Sequence, residues 1–167
     1  MASAKALLLC FVALWAWMCL GTAAQSPIEV TIDGSVNCAS SPNGTDFASF
    51  AVYEALAPGY YLASPRNGSV NIVGGTPLWV FAMRMTTPNC TIMGSHPDVC
   101  SIATNVLGSS TSVYDTEDKA FEHAKYTQMI IKLWPGQPGL YFWFQDDICV
   151  DNTGSITVSL TPLDDWE

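Results

Sequence analysis

The chain has 167 residues, 49% hydrophobic and 13% charged, with 15 Asp and Glu against 6 Lys and Arg. That length predicts one domain, and the apolar content argues against a disordered or collagen-like chain. A formal net charge of -9 argues against electrostatic binding to nucleic acid or anionic lipid, since both need a basic face.

Lys5 precedes an unbroken apolar run from Ala6 to Leu20, and small residues follow at Gly21-Thr-Ala-Ala24. One positive residue, a short apolar core and a small-residue exit predict a secretory signal peptide over residues 1–24, cleaved near Ala24. The run is shorter than the roughly 20 residues that a membrane span needs, so no membrane insertion is expected after cleavage. The expected mature domain is then 25–167, secreted, and more acidic because only Lys5 is lost. Four cysteines stay with it, Cys38, Cys90, Cys100 and Cys149, and an even number in an exported chain predicts two disulfides. Cys90 and Cys100 are ten apart and close easily into a small loop, which pairs Cys38 with Cys149. The competing arrangement joins Cys38 to Cys90 and Cys100 to Cys149. The spacing lacks the CxxC pairs of a structural zinc site. Asn43, Asn67 and Asn89 head Asn-x-Ser/Thr sequons and are candidate glycosylation sites.

Along the mature chain, Ile28–Ile32 and Ser155–Leu160 alternate apolar and polar residues, the period of half-buried strands. Between them, residues 47–53, 59–62, 69–73, 77–83, 126–133 and 140–144 are rich in β-branched and aromatic side chains. Turn chemistry bounds them at Pro58-Gly59, Asn67-Gly68, Gly74-Gly75, Pro135-Gly136, Pro138-Gly139 and Asn152-Thr-Gly154. Residues 115–125 read equally as a short helix begun by acids or as a solvated loop. Many short strands at regular spacing predict an all-β domain, an antiparallel β-sandwich or jelly roll. Tyr141-Phe-Trp-Phe144 must point to both faces of its strand, so at least two of the four are expected in the core, with Trp79 and Met83. Trp134, beside Pro135-Gly136, and Tyr60 or Tyr61, after Pro58-Gly59, are better surface candidates.

Chemistry concentrates in Asp146-Asp-Ile-Cys-Val-Asp-Asn152, three carboxylates and a carboxamide within seven residues on one strand connection. Like charges held together need a positive partner, and Lys132 is the last basic residue of the chain. Hard oxygen donors on one loop suit calcium. An acidic turn ordered by Asx hydrogen bonds and a positive φ at Gly154 would read the same way.

Gly139-Leu-Tyr-Phe-Trp-Phe-Gln-Asp-Asp147, then Asp151-Asn-Thr-Gly-Ser-Ile-Thr-Val158, resembles the closing segment of galactose-binding-like jelly-roll domains. It is most similar to the bacterial calcium-dependent galactophilic lectins. That resemblance, over about 20 residues, implies a lectin-like module in which calcium bridges the protein to sugar hydroxyls. Asp146 or Asp147 would match the first metal ligand, Asp151 and Asn152 the acid–amide pair, and Val150 a carbonyl donor. Asp147, Asp151, Asn152 and the exposed aromatic Trp134 would then face carbohydrate. The sequence departs from the lectins in a shorter loop with Cys149 inside it, and no residue matches the family's tyrosine and histidine sugar contacts. The same ending is also similar to plant-type cupredoxins, but Ile148 stands before Cys149 where copper would need histidine.

Catalysis is the weaker expectation. GxSxG, HExxH and Gly-rich phosphate loops are missing from the sequence, and the acidic loop could only formally provide a glycoside hydrolase with its two carboxylates. The sequence therefore predicts a carbohydrate-binding module, with an extracellular structural or cell-surface interaction glycoprotein as the alternative.

Overall fold

A computed structural model describes residues 26–40, 49–87 and 105–163. The expected signal peptide, the Cys90–Cys100 pair, Asn43 and Asn89 lie outside the described residues.

The two alternating segments pair with each other. β1 (Ile28–Asp33) lies antiparallel to β9 (Thr153–Leu163), with Val30 opposite Val158 and Ile32 opposite Ile156. All four are buried, as period two requires of one sheet face. On the other side of β9 runs β4 (Gly59–Asn71), its partner over nearly its whole length.

The sequence divides this strand into two at Asn67-Gly68; the structure makes it one. Between Pro65 and Asn67 the register shifts by a residue, and Gly68 continues the ladder at φ +79°. A proline without an N–H and a glycine at positive φ are what a β-bulge uses, so the expected turn is a bulge inside a long strand. Asn67 is exposed there, while Ser69 of the same sequon is buried and donates its hydroxyl to the Glu117 carbonyl at 3.3 Å.

The hairpin after Asn71 leads to β5 (Trp79–Thr86), which pairs with β4 at its start and with β8 (Gly139–Gln145) at its end. β6 (Asn105–Tyr114) lies on the other side of β5. Its Gly-Ser-Ser-Thr-Ser core has no hydrophobic alternation, so its strand character comes from pairing with β5. β3 (Val52–Ala55) covers the first half of β8. β2 (Cys38–Ala39) covers the second half, in parallel. β7 (Met129–Leu133) pairs with the first half of β4. The result, among the described residues, is a mostly β architecture, one curled mixed sheet of nine strands in the order β1-β9-β4-β5-β8-β2 with three side pairings. The expectation of a purely antiparallel arrangement fails at β2, two residues too short to carry a pattern.

The ambiguous segment is a helix, α1 (Glu117–Ala124). Its cap is Thr116, whose hydroxyl accepts from the Lys119 N–H at 3.3 Å, and the acids expected to cap it follow in the first turn. Ala120 and Ala124, one turn apart, are its buried residues.

The core is carried by Val30, Ile32, Val70, Met83, Leu107, Ile131, Phe142, Phe144 and Val158, with others of the same kind. Of the four aromatics in β8, Phe142 and Phe144 enter this core. Trp143 is buried on the opposite side with its ring edge-on to Phe50, and Tyr141 meets the Tyr53 ring at 5.0 Å. Met83 is fully buried, whereas Trp79 is only partly buried. Tyr61, considered for the surface, is buried and donates its hydroxyl to the Ala57 carbonyl at 2.8 Å. Among the described residues no helix is long and apolar enough to cross a membrane.

Candidate functional site

The acidic connection between β8 and β9 is held by short-range chemistry. Where β8 ends, the Asp146 N–H donates to the Ala39 carbonyl at 3.3 Å, and the Asp146 carboxylate accepts from the Asp147 N–H at 2.7 Å. Residues Cys149–Asp151 make a single 3-10 turn, closed by the Asn152 N–H on the Cys149 carbonyl. Cys149 is disulfide-bonded to Cys38, with Cα atoms 5.6 Å apart across 111 residues of chain. The bridge expected from spacing is therefore present.

Asn152 joins this loop to the turn after β1. Only 3% of it is exposed, and its amide donates to the Gly34 carbonyl at 3.0 Å and approaches Cys38 Sγ at 3.5 Å. Gly34 in turn donates to the Gly154 carbonyl at 3.0 Å. Asp33 orders that turn, accepting from the Ser35 hydroxyl at 2.7 Å and from the Ser35 and Val36 amides at 2.8 and 3.0 Å. The Ser35 hydroxyl first, then the Ser35 amide, hold the Asp33 carboxyl below its ordinary value.

A carboxyl with a lowered folded-state pKa adds stability above its unfolded value near 3.9, and that stability is lost as pH falls through the folded value. Asp33→Asn should therefore cost about 1 kcal/mol near neutrality, a modest figure because the group is exposed. It should also flatten the fall in urea-unfolding stability below about pH 4. An unchanged acid limb would show that Asp33 does not drive it.

The hairpin between β4 and β5 forms the third wall. Asn71 Oδ1 accepts from the Val73 and Leu78 amides at 3.2 and 3.3 Å. Asp151 lies against Gly74, where an added methyl would sit 3.5 Å from the Asp151 Cβ. The Trp79 ring covers Gly154 so closely that a Cβ there would stand 3.1 Å from it. Sequence reasoning placed Trp79 in the core. The sequence signal for its place at this rim is an aromatic four residues after the Gly74-Gly75 turn.

Among the described residues, four side-chain oxygens of this region are buried without a hydrogen-bond partner: Gln145 Oε1, Asp146 Oδ2, Asp151 Oδ1 and Asn152 Oδ1. A buried acceptor left unpaired costs about 1–3 kcal/mol, more if charged. Ion pairs among the described residues join Arg66 to Glu29, Lys119 to Asp115 and Lys125 to Glu122, and none reaches the corner.

The residues proposed from sequence are only partly brought together. Asp146, Asp151 and Asn152 border one corner, while Asp147 is exposed and Val150 points 91% of its surface to solvent. Among the described residues, no three His, Cys, Asp or Glu side chains are grouped so as to share a metal ion. Asp147 is exposed where the chain enters the 3-10 turn, whereas Asp146 and Asp151 are partly buried.

Trp134 lies elsewhere. Tyr60 pairs with Leu163 at one end of β4 and Asn71 with Thr153 at the other, about 36 Å away at 3.3 Å per residue. Trp134 follows Leu133, opposite Gly59, at the far end. Lys132 Nζ sits 3.8 Å from the Trp134 ring centre and 4.8 Å from that of Tyr60, while Trp134 is 38% exposed. It cannot share one sugar with the acidic corner. Compared with known proteins, the chain matches no protein family, no curated protein and no solved structure.

Proposed function

We propose that the chain is a secreted carbohydrate-binding, lectin-like module of jelly-roll type, with its acidic corner as a calcium-dependent sugar site. The observation that carries this reading is the set of orphaned buried oxygens on Asp146, Asp151 and Asn152, joined by Gln145. Oxygens of this kind without donors fit a hard cation, which takes six to eight oxygen ligands. Asp146 and Asp151 would supply the charged ligands, and neutral oxygens complete the set: Asn152 Oδ1, Gln145 Oε1 and loop carbonyls such as that of Val150. Bound calcium would supply open coordination positions for vicinal sugar hydroxyls. Asp147, exposed at the rim, could accept hydrogen bonds from the sugar, and Trp79 offers a nearby aromatic edge. Secretion, the signal peptide over residues 1–24, the Cys90–Cys100 bridge and glycans on Asn43, Asn67 and Asn89 belong to the same proposal.

Calcium at a hundred times its Kd should stabilise the protein by about 2.7 kcal/mol, several degrees in Tm. Asp151→Ala should abolish that rise. A glycan array probed with calcium, and again with chelator, should lose its signals in the second arm. Flat calorimetric heats with calcium on oxidised protein would remove this reading.

A second reading is favoured by the loop's own surface. Ile148 and Val150 are exposed aliphatics on either side of the bridged Cys149. A rigid, disulfide-tethered loop offering two apolar side chains suits an extracellular interaction protein with neither metal nor sugar. It predicts no calcium effect on Tm and loss of partner binding in Ile148→Ser/Val150→Ser.

A further inference from the structure

A cavity of about 90 Å³ lies between α1 and the β5–β6 pair. Phe81, Ala120 and Ala124 give it apolar walls, while Ser109, Tyr114 and His123 bring hydroxyl and imidazole groups. Its described lining residues include no Asp, Glu, Lys or Arg. His123 stacks on the Tyr114 ring with centres 4.6 Å apart, which fixes two adaptable donors and acceptors side by side.

Size and polarity narrow the occupant. A cavity of about 150 Å³ takes the six carbons of benzene, so 90 Å³ suits about four non-hydrogen atoms. With no carboxylate, ammonium or guanidinium among the described walls, a charged group would find no counter-charge there. An uncharged group with one methyl and one amide has the matching size and the matching division between apolar and polar ends.

Position connects the cavity to the acidic corner. Thr153 pairs with Asn71, Asn71 with Trp79, and Trp79 with Tyr114, in one row across β9, β4, β5 and β6. Three strand spacings of about 4.8 Å put Tyr114 roughly 14 Å from Thr153. An extended glycan held at the corner can therefore bring a second sugar unit to the cavity.

We propose that this cavity is a subsite for the acetamido group of an N-acetylated sugar unit, an inference that rests on the carbohydrate reading above. The test is amide-resolved NMR titration of the full oxidised chain, in calcium, with N-acetylglucosamine, N-acetylgalactosamine, glucose and galactose. The N-acetylated sugars should shift amides of Tyr114, Ala120 and His123, and glucose and galactose should not. Ala124→Leu, which fills the space, should weaken the N-acetyl response at least ten-fold. His123→Ala, at an exposed position, should weaken it without altering Tm, which keeps the test valid if Ala124→Leu fails to fold. Hexose binding confined to residues 145–154, with no added response to the acetamido group, would overturn this inference and leave the sugar reading standing. Silence from all four sugars would overturn both.

Discussion

Replacing Cys38 and Cys149 together by serine should lower the unfolding free energy by about 4–5 kcal/mol, measured by urea denaturation of oxidised wild type against the double variant. The bridge closes 111 residues of chain. Holding a loop of that length shut removes conformational entropy from the unfolded state, and the chain-entropy relation gives a figure of this size. Domains of this size are stable by about 5–15 kcal/mol, so the loss is a large fraction of the total. The local consequence adds to it. Cys38 heads β2, and Cys149 opens the 3-10 turn that presents Asp151 and Asn152. Without the bridge, the β1 turn is tied to this loop by the Asn152 bond to the Gly34 carbonyl and the Gly34 bond to the Gly154 carbonyl, and Asn152 loses Cys38 Sγ. Addition of a reductant to wild type should reproduce the variant's midpoint. A loss below 1 kcal/mol would mean that the unfolded chain is already compact or the bridge unformed.

Gly68→Ala should cost about 3–4 kcal/mol, and the comparison that interprets it is Gly75→Ala at about 1 kcal/mol. Both glycines have positive φ, +79° and +84°. They differ in what a methyl would meet. At Gly68 an added Cβ would lie 2.1 Å from the Ser155 carbonyl oxygen, a contact with backbone that no rotamer relieves. At Gly75 nothing stands within 4 Å. Gly75→Ala therefore reports the conformational strain alone, while Gly68→Ala adds forced separation of β4 from β9. Thermal unfolding of the two variants separates the terms, and equal Tm values would refute the close approach of the strands at the bulge.

These two sites also mark how far the residues could be read in advance. Gly74-Gly75 and Asn67-Gly68 carry the same turn signal, yet one closes a hairpin and the other sits inside a 13-residue strand. Local chemistry specifies positive φ at both. Whether the chain reverses there depends on the partner, and β9 runs past Gly68 without a break. Likewise β6, with few apolar residues in pattern, is a strand because β5 offers it an open edge. The helix at Glu117–Ala124 was half legible, since acids near a helix start and acids in a solvated loop look alike until two alanines find a sheet to pack on.

At the candidate site, spacing favoured Cys38 with Cys149 without removing the competing arrangement, and three carboxylates with a carboxamide between two strand patterns singled out residues 146–152. Spacing could not tell that Asp147 faces outward, or that Trp134 lies at the far end of β4. Composition and periodicity by themselves determined a β-rich acidic chain and its alternating end strands, since these depend on residue type; the choice of Cys38 with Cys149 over the competing pairing came from the structure. The curled order of the sheet, the parallel β2, the wall of Trp79 and Gly74 beside Asp151, and the cavity under α1 were decided only by tertiary structure. Each of them depends on contacts between segments far apart in the chain, for which a local pattern holds no information.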